Sequence, residues 1–172
     1  MSCTLCERSS LDQVGECVTV IVEPVDFEVP PDCVHGLTHE MCLREGVRFP
    51  AAAAAVGSLF LQAEAVVAHN VAFDLGAFKG ELARSGLTHL LAHVERMTPI
   101  CSMKNTTALC KLPARGKGGP FKYPTLAELY AFATGRVMRD PHDAEFDVLN
   151  LLAALRALLV AHPSILRGPR TS

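Results

Sequence analysis

The stretch VAHNVAFDLGAF at residues 67–78 decides the fold prediction, because it joins a strand pattern directly to a helix pattern. The short apolar run at residues 65–68 favours a strand. The pair His69 and Asn70 forms a polar turn, and apolar side chains then recur at helical spacing as far as residue 85. The sequence therefore predicts a strand, a tight turn and an amphipathic helix in immediate succession.

Two aspartates occupy the beginnings of predicted helices. Asp74 falls in the first turn of the helix just described, where the helix dipole favours a carboxylate, so its simplest interpretation is a helix-start acid. The segment HDAEFDV at residues 142–148 places Asp147 early in the most apolar predicted helix, residues 143–161, which is apolar on nearly all sides and is therefore expected to be buried. A buried, unpaired carboxylate there would cost several kcal/mol, a cost that a bound cation would remove. His142 precedes that helix and, taken alone, is more often structural than functional.

The remaining pattern alternates strands with helices, which indicates an α/β domain. Predicted strands lie at residues 2–8, 17–23 and 97–101, with a hairpin loop at 9–15; predicted helices lie at 38–46, 50–62 and 125–134. Pro99 would confine its strand to a sheet edge, because proline donates no ladder hydrogen bond. Residues 114–123, with three glycines and one proline, predict an exposed loop.

Composition bounds the class of protein. The chain has 172 residues, 49% of them hydrophobic, with a formal net charge of −2, which suits one globular domain and excludes a globally basic nucleic-acid coat. Its longest apolar run, residues 51–61, is too short to cross a bilayer. The first residues do not have the pattern of a signal peptide, so we expect an intracellular protein with no membrane partner.

The seven cysteines do not predict a disulfide framework, because their number is odd and they are scattered through the chain. Cys3 and Cys6 form a CxxC pair, but a zinc site would need a second, closely spaced pair of ligands. The simplest interpretation is that all seven are buried, unreactive thiols.

Together, the segments at residues 67–78 and 142–148 resemble the second and third motifs of the DnaQ-like 3′–5′ exonucleases, the histidine-bearing branch of a superfamily named for its Asp-Glu-Asp-Asp metal ligands. The stretch before that family's first helix is similar to residues 22–40 (VEPVDFEVPPDCVHGLTHE). The family's segment between the two motifs is similar to residues 101–113 (CSMKNTTALCKLP) followed by residues 123–130 (YPTLAELY). The resemblance implies an RNase H-like mixed sheet flanked by helices over residues 1–162, followed by a flexible tail, 163–172.

The resemblance also implies functional residues. Asp74 and Asp147 correspond to ligands of two divalent ions, Mg²⁺ or Mn²⁺, and His142 to the general base that activates water. Two such ions can clamp the attacking and leaving oxygens of a phosphodiester, and carboxylate oxygens suit them. The implied substrate is the 3′ end of DNA or RNA. The residues expected beside its terminal nucleotide are His35, Gly36, Leu37 and Asn70.

The family's first motif, an Asp-x-Glu on the first and central strand, has no convincing match in this chain. Asp26-Phe27-Glu28 has the spelling, but it lies between Pro24 and Pro30 and matches a turn of the family better. We therefore expect the sheet to lack its first strand. The neighbouring strands could pair with each other, another chain could add a strand, or the reading frame could be truncated. We favour truncation, which predicts an Asp-x-Glu strand encoded upstream.

Two functions remain open at the level of sequence. One is a 3′–5′ exonuclease whose activity the missing motif impairs, and the other is a non-catalytic nucleic-acid- or protein-binding module of the same fold. A zinc or redox protein would depend on Cys3 and Cys6 alone. Between Glu95 and Glu128 the chain carries six basic residues and no acidic one, which suits phosphate contact and a solvated loop equally well.

Overall fold

The computed structural model describes residues 1–33, 35–114, 120–138 and 143–169, and within them the chain is a mixed α/β structure. The strands are β1 (Ser2–Cys6), β2 (Gln13–Thr19), β3 (Ala65–Ala68) and β4 (Thr98–Cys101). The helices are α1 (His39–Glu45), α2 (Phe49–Gln62), α3 (Val71–Arg84), α4 (Thr88–Arg96), α5 (Ser102–Cys110), α6 (Leu126–Thr134) and α7 (Ala144–Leu159), followed by a 3-10 helix at Pro163–Leu166. The α/β class predicted from sequence is confirmed.

The described strands form two separate two-stranded sheets instead of one mixed sheet. β1 and β2 form an antiparallel hairpin, whereas β3 and β4 are parallel and are connected through α3 and α4. A parallel pair needs such a crossover, because a tight turn can join only antiparallel strands. Among the described residues β4 pairs with β3 alone, as expected for a strand that contains Pro99.

The predicted hairpin is present, but its second strand lies earlier in the chain than expected. β2 runs from Gln13 to Thr19 instead of over residues 17–23, and because β1 ends at Cys6 the loop occupies residues 7–12 instead of 9–15. Pairing with β1 sets these limits, because Cys6 lies opposite Gln13 and Ser2 lies opposite Thr19. Beyond Thr19, Val20 still bonds Met1 in both directions, and the chain then turns to pair with Val47 through Ile21 and Val22.

Local capping explains where several helices begin. The Thr38 side chain accepts a hydrogen bond from the Met41 amide and starts α1. Thr125 and Glu128 form a reciprocal capping box that starts α6. Pro50 lies in the first turn of α2, a position that needs no amide donor. None of the helices in the described ranges is both long and apolar enough to cross a membrane.

Helices α4 and α5 were not predicted from the sequence. α4 is a short amphipathic helix that begins just after Gly86, which adopts a left-handed conformation with φ of 68°. α5 contains two threonines whose hydroxyls donate to main-chain oxygens four residues earlier, both at 2.8 Å. Threonine has modest helix propensity, so packing of Ser102 and Thr106, both fully buried, accounts for this helix better than local preference does.

Two hydrophobic clusters pack on opposite sides of the strands. The first joins α2, α3 and α4 and receives Val66 and Ala68, whereas the second joins α6, α7 and the 3-10 helix and receives Val67. The side chains of β1 also face both clusters, since Cys3 contacts the first and Cys6 contacts the second. β1 and β3 therefore lie in one layer between the same two clusters, although they do not pair within the described residues.

Helix α7 is less buried than its apolar sequence predicts. Its buried residues, Leu152, Ala154, Leu155 and Leu158, all lie in the second half, and Phe146 is exposed at the start. The first turn instead lies at the edge of the domain, which leaves the Asp147 side chain half-buried. The expectation of a helix buried on nearly all sides was wrong for this turn.

Part of the predicted flexible tail, residues 163–172, belongs to the packed domain. Pro163–Leu166 form a 3-10 helix in which Ile165 and Leu166 are buried in the second cluster. The Asn105 side chain donates to the main-chain oxygens of Ile165 and Arg167 at 2.8 and 2.9 Å. Residues 170–172 lie outside the described ranges.

The cysteines are free thiols, as expected, although only Cys42 among them is fully buried. Burial raises the pKa of Cys3 to about 11, which makes its thiolate scarce at neutral pH. Burial also raises the pKa values of Cys6, Cys17 and Cys110. The raised pKa values favour the interpretation that these four cysteines are unreactive thiols.

Replacing Ile165 by alanine tests whether the 3-10 helix Pro163–Leu166 is part of the core. Ile165 is 0% exposed, so Ile165→Ala should lower the free energy of unfolding by about 2–5 kcal/mol, measured by urea denaturation. Val160 is 96% exposed, so Val160→Ala should change it by less than about 0.5 kcal/mol. An equally small effect at Ile165 would show that these residues do not stabilise the domain.

Candidate functional site

The candidate site lies where β3 ends and α3 begins. β3 ends at Ala68, and Asn70 then adopts a left-handed conformation with φ of 74° before the first helical residue, Val71. Asparagine tolerates this conformation better than most residues do. The sharp reversal leaves the Asn70 side chain exposed and packs Val71 into the first cluster. It therefore places the first turn of α3, with Asp74, beside the end of β3.

His69 connects this turn to two other segments. Its Nε2 lies 2.9 Å from the main-chain oxygen of Pro124, just before α6, and its Nδ1 lies 3.1 Å from the hydroxyl of Ser102, at the start of α5. A carbonyl can only accept, so Nε2 carries the hydrogen and donates it to Pro124. The Ser102 hydroxyl also lies 3.2 Å from the Ala68 main-chain oxygen, and its single hydrogen is donated either to that oxygen or to the Nδ1 of neutral His69. The imidazole thus holds three distant stretches of chain together.

Asp74 and Asp147 both act electrostatically on His69. Burial lowers the pKa of His69, while the hydrogen bond to Pro124 and the charges of Asp74 and Asp147 oppose that shift. Asp74 keeps part of its surface in contact with solvent, yet the surrounding protein excludes enough water to raise the pKa of its carboxyl. The two carboxylates, 73 residues apart in the sequence, therefore lie within electrostatic reach of one imidazole.

Asp147 is positioned by the cap of its own helix. The Asp143 side chain accepts hydrogen bonds from the amides of Glu145 and Phe146, at 3.0 and 3.1 Å, and so fixes where α7 begins. The Asp147 amide then donates to the Asp143 main-chain oxygen at 2.8 Å. Asp147 consequently occupies the first turn of α7, as Asp74 occupies the first turn of α3.

The other predicted site residues are not gathered around these aspartates. His142, the predicted general base, lies outside the described residues. His35 and Gly36 are exposed in a turn in which the His35 Nδ1 accepts from the Leu37 amide at 3.1 Å. The hydrogen bonds described at this turn are local, with the Gly36 amide donating to the Cys33 oxygen at 3.2 Å, and neither core cluster contains the turn. Only Asn70, one residue from His69, lies beside the site.

The Asp26-Phe27-Glu28 segment is an exposed bend and not a strand. Asp26 has a positive φ of 63°, and all three residues are exposed. This confirms the prediction that Asp26 and Glu28 are turn residues. Of the basic stretch, Lys122 forms an ion pair with Glu128, while Arg115 and Lys117 lie outside the described ranges.

Sequence reasoning missed the bonding role of His69 and the importance of Ser102. His69 was assigned only to a turn, because no local pattern reveals partners that lie 33 and 55 residues away. A second feature was also missed, namely that Phe73 and Phe146 are exposed and each immediately precedes one of the aspartates. The Phe-Asp pair occurs in both motifs of the sequence, and this repetition is the signal that points to a phenylalanine beside each aspartate.

The chemistry of the donors fits a hard divalent cation, since carboxylate oxygens are the ligands that Mg²⁺ and Mn²⁺ prefer. Asp74 and Asp147 are the residues that would hold it. Across the described ranges, no group of three or more His, Cys, Asp or Glu side chains is arranged to hold a metal ion. The two aspartates therefore form a smaller donor set than the four carboxylates that the resemblance implies.

Comparisons with known proteins identify no relative. No protein-family model, curated protein or solved structure matches this chain. The class that the structure itself defines is a mixed α/β domain with two carboxylates and a histidine at the end of a parallel strand.

Replacing His69 by glutamine should destabilise the protein in a pH-dependent way. Loss of its hydrogen bonds should cost about 1–3 kcal/mol near pH 7.5. Since the folded state lowers the pKa of His69, its contribution is complete above the unfolded pKa of about 6.5 and is lost as the pH falls through the folded value. The difference in unfolding free energy between wild type and His69→Gln should therefore shrink below about pH 6.5.

Urea denaturation across a pH series measures this difference, and His89→Gln is the matched control because His89 is exposed on α4. The control should leave both the stability and its pH dependence close to those of the wild type. A difference that grows as the pH falls would mean that the fold prefers protonated His69.

Proposed function

We propose that this protein is a 3′–5′ exonuclease-like hydrolase that acts on nucleic-acid 3′ ends and has an RNase H-like fold interrupted at its centre. The observation that carries the proposal is that His69, directly after β3, lies within electrostatic reach of both Asp74 and Asp147, because neighbouring carboxylates attract a divalent cation. The order of elements supports the fold. A hairpin precedes a parallel strand pair, and helical clusters cover both sides of the layer.

The roles of the chain's own residues follow from their positions. Asp74 and Asp147 would supply the oxygen ligands, and the His69 bonds would hold the end of β3 in place beneath them. Bound Mg²⁺ or Mn²⁺ would supply the charge that stabilises the developing negative charge at the phosphodiester. His142, five residues before Asp147 in the sequence, would accept the proton of the attacking water as general base.

Binding without cleavage is the second candidate function. The exposed rings of Phe73 and Phe146 favour it, because aromatic side chains stack on bases of any sequence without needing a metal. The smaller set of carboxylates favours it too. Both candidates place nucleic acid at the same surface, so one set of variants can separate them.

Release of label from 3′-labelled single strands in Mn²⁺ tests the proposed activity. Asp74→Asn and Asp147→Asn keep the side-chain shape but remove the charge, so each should lower the rate of release by at least about 100-fold. Asp147→Ala should do the same. Glu95→Gln, on the exposed surface of α4, is the matched control and should keep the wild-type rate.

A second measurement separates weak catalysis from simple binding. Paramagnetic broadening by Mn²⁺ should be strongest for the amides in the first turns of α3 and α7, and both Asp→Asn variants should weaken it. Binding of single strands that Phe146→Ala reduces, with no release of label at any metal concentration, would establish the second candidate. Release that survives both aspartate substitutions would contradict the proposed site.

A further inference from the structure

A cavity of about 400 Å³ opens at the far end of α7 from Asp147. It lies between the hairpin loop, the last turn of α7 and the 3-10 helix, and its volume falls in the range of sites that bind small ligands. Three aliphatic residues, two arginines and one serine line it. The lining residues are Arg8, Ser9, Leu159, Pro163, Leu166 and Arg167.

The segment that carries Arg8 is fixed by the core and by hydrogen bonds. The loop is closed by main-chain bonds from Glu7 to Asp12 at 2.8 Å and from Leu11 to Glu7 at 2.7 Å. Leu11 is buried in the second cluster, and its oxygen accepts from the Arg156 Nε at 2.7 Å. Because Leu11 holds a positive φ of 60°, surrounding contacts must maintain this conformation.

The segment that carries Arg167 is fixed in a comparable way. The Arg167 amide donates to the Ser164 oxygen at 3.1 Å, and its own oxygen accepts from the Asn105 side chain. The adjacent Ile165 and Leu166 are buried. Both arginines therefore extend from backbone that is held in place, which limits the entropy lost when a ligand binds.

The two guanidinium groups have no carboxylate partner among the described residues. The ion pair near this cavity uses another arginine, Arg156, whose guanidinium lies 3.8 Å from the Asp12 carboxylate. Arg8 and Arg167 are both exposed and line one cavity. Two unpaired guanidinium groups beside aliphatic residues complement a ligand with one anionic group and one aliphatic group.

We propose that this cavity binds a carboxylate that carries a branched aliphatic group, with the carboxylate held by Arg8 and Arg167 and the aliphatic group against Leu159 and Leu166. The lining contains no aromatic ring on which a base could stack, so it favours an aliphatic ligand over a nucleotide. A free branched acid and the C-terminal residue of a polypeptide share this chemistry. The Ser9 hydroxyl could additionally bond the amide of the polypeptide.

Four small probes test the proposal by NMR titration of the full chain. N-acetyl-leucine represents a C-terminal residue, and 4-methylpentanoate represents a free branched acid. N-acetyl-leucine amide lacks the charge, and acetate lacks the aliphatic group. We expect shifts at the cavity residues with N-acetyl-leucine and a dissociation constant on the order of 1 mM, with binding at least about tenfold weaker for the amide and for acetate.

Arg8→Gln and Arg167→Gln should each weaken N-acetyl-leucine binding about tenfold, whereas Arg136→Gln, an exposed arginine outside the cavity, should not. Stronger binding of N-acetyl-leucine than of 4-methylpentanoate supports a polypeptide C-terminus as the natural ligand, and the reverse supports a free acid. The proposal is overturned if the amide binds as well as the acid, if neither arginine substitution matters, or if no probe shifts the cavity residues. Because no nucleic acid or metal is used, these outcomes are independent of exonuclease activity.

Discussion

The imidazole of His69 is the interaction on which the arrangement of the site depends. It holds the end of β3, the start of α5 and Pro124, two residues before α6, within hydrogen-bonding distance of one ring. Both Ser102 and Pro124 are buried, so their polar atoms have little access to water and depend on partners inside the protein. Asp74 lies five residues after His69, in the first turn of α3, so its placement beside the end of β3 depends on how this turn is held.

The parts of the fold governed by neighbouring residues could be predicted, and those governed by distant partners could not. Local signals predict the starts of α1, α2 and α6, namely Thr38, Pro50 and Thr125. Each of these helices begins within one residue of its predicted start. The limits of β2 depend on its register with β1, and α5 depends on the burial of Ser102 and Thr106, which the sequence does not display. The motif resemblance predicts that Asp74 and Asp147 act together, whereas the hydrogen bonds of His69 to Ser102 and Pro124 are seen only in the structure.

The candidate site and the arginine-lined cavity lie at opposite ends of one rigid element. Asp147 occupies the first turn of α7 and Leu159 the last, 12 residues later, which at 1.5 Å per residue is a separation of about 18 Å. The helix between them is anchored by Leu152, Leu155 and Leu158 in the second cluster. Binding at one end therefore need not disturb the other, unless it moves the whole helix against that cluster.

The two small sheets contain strands that are paired along one side only, and this affects how the protein associates with other copies of itself. A strand bonded along one side only still offers its other side as a template, and β1 and β3 each do so among the described residues. Pro99 lacks the amide hydrogen that a strand added to β4 would need, but neither β1 nor β3 contains a proline. With a net charge of only −2, repulsion between molecules is weak, so crowding should favour self-association through these strands over a monodisperse solution.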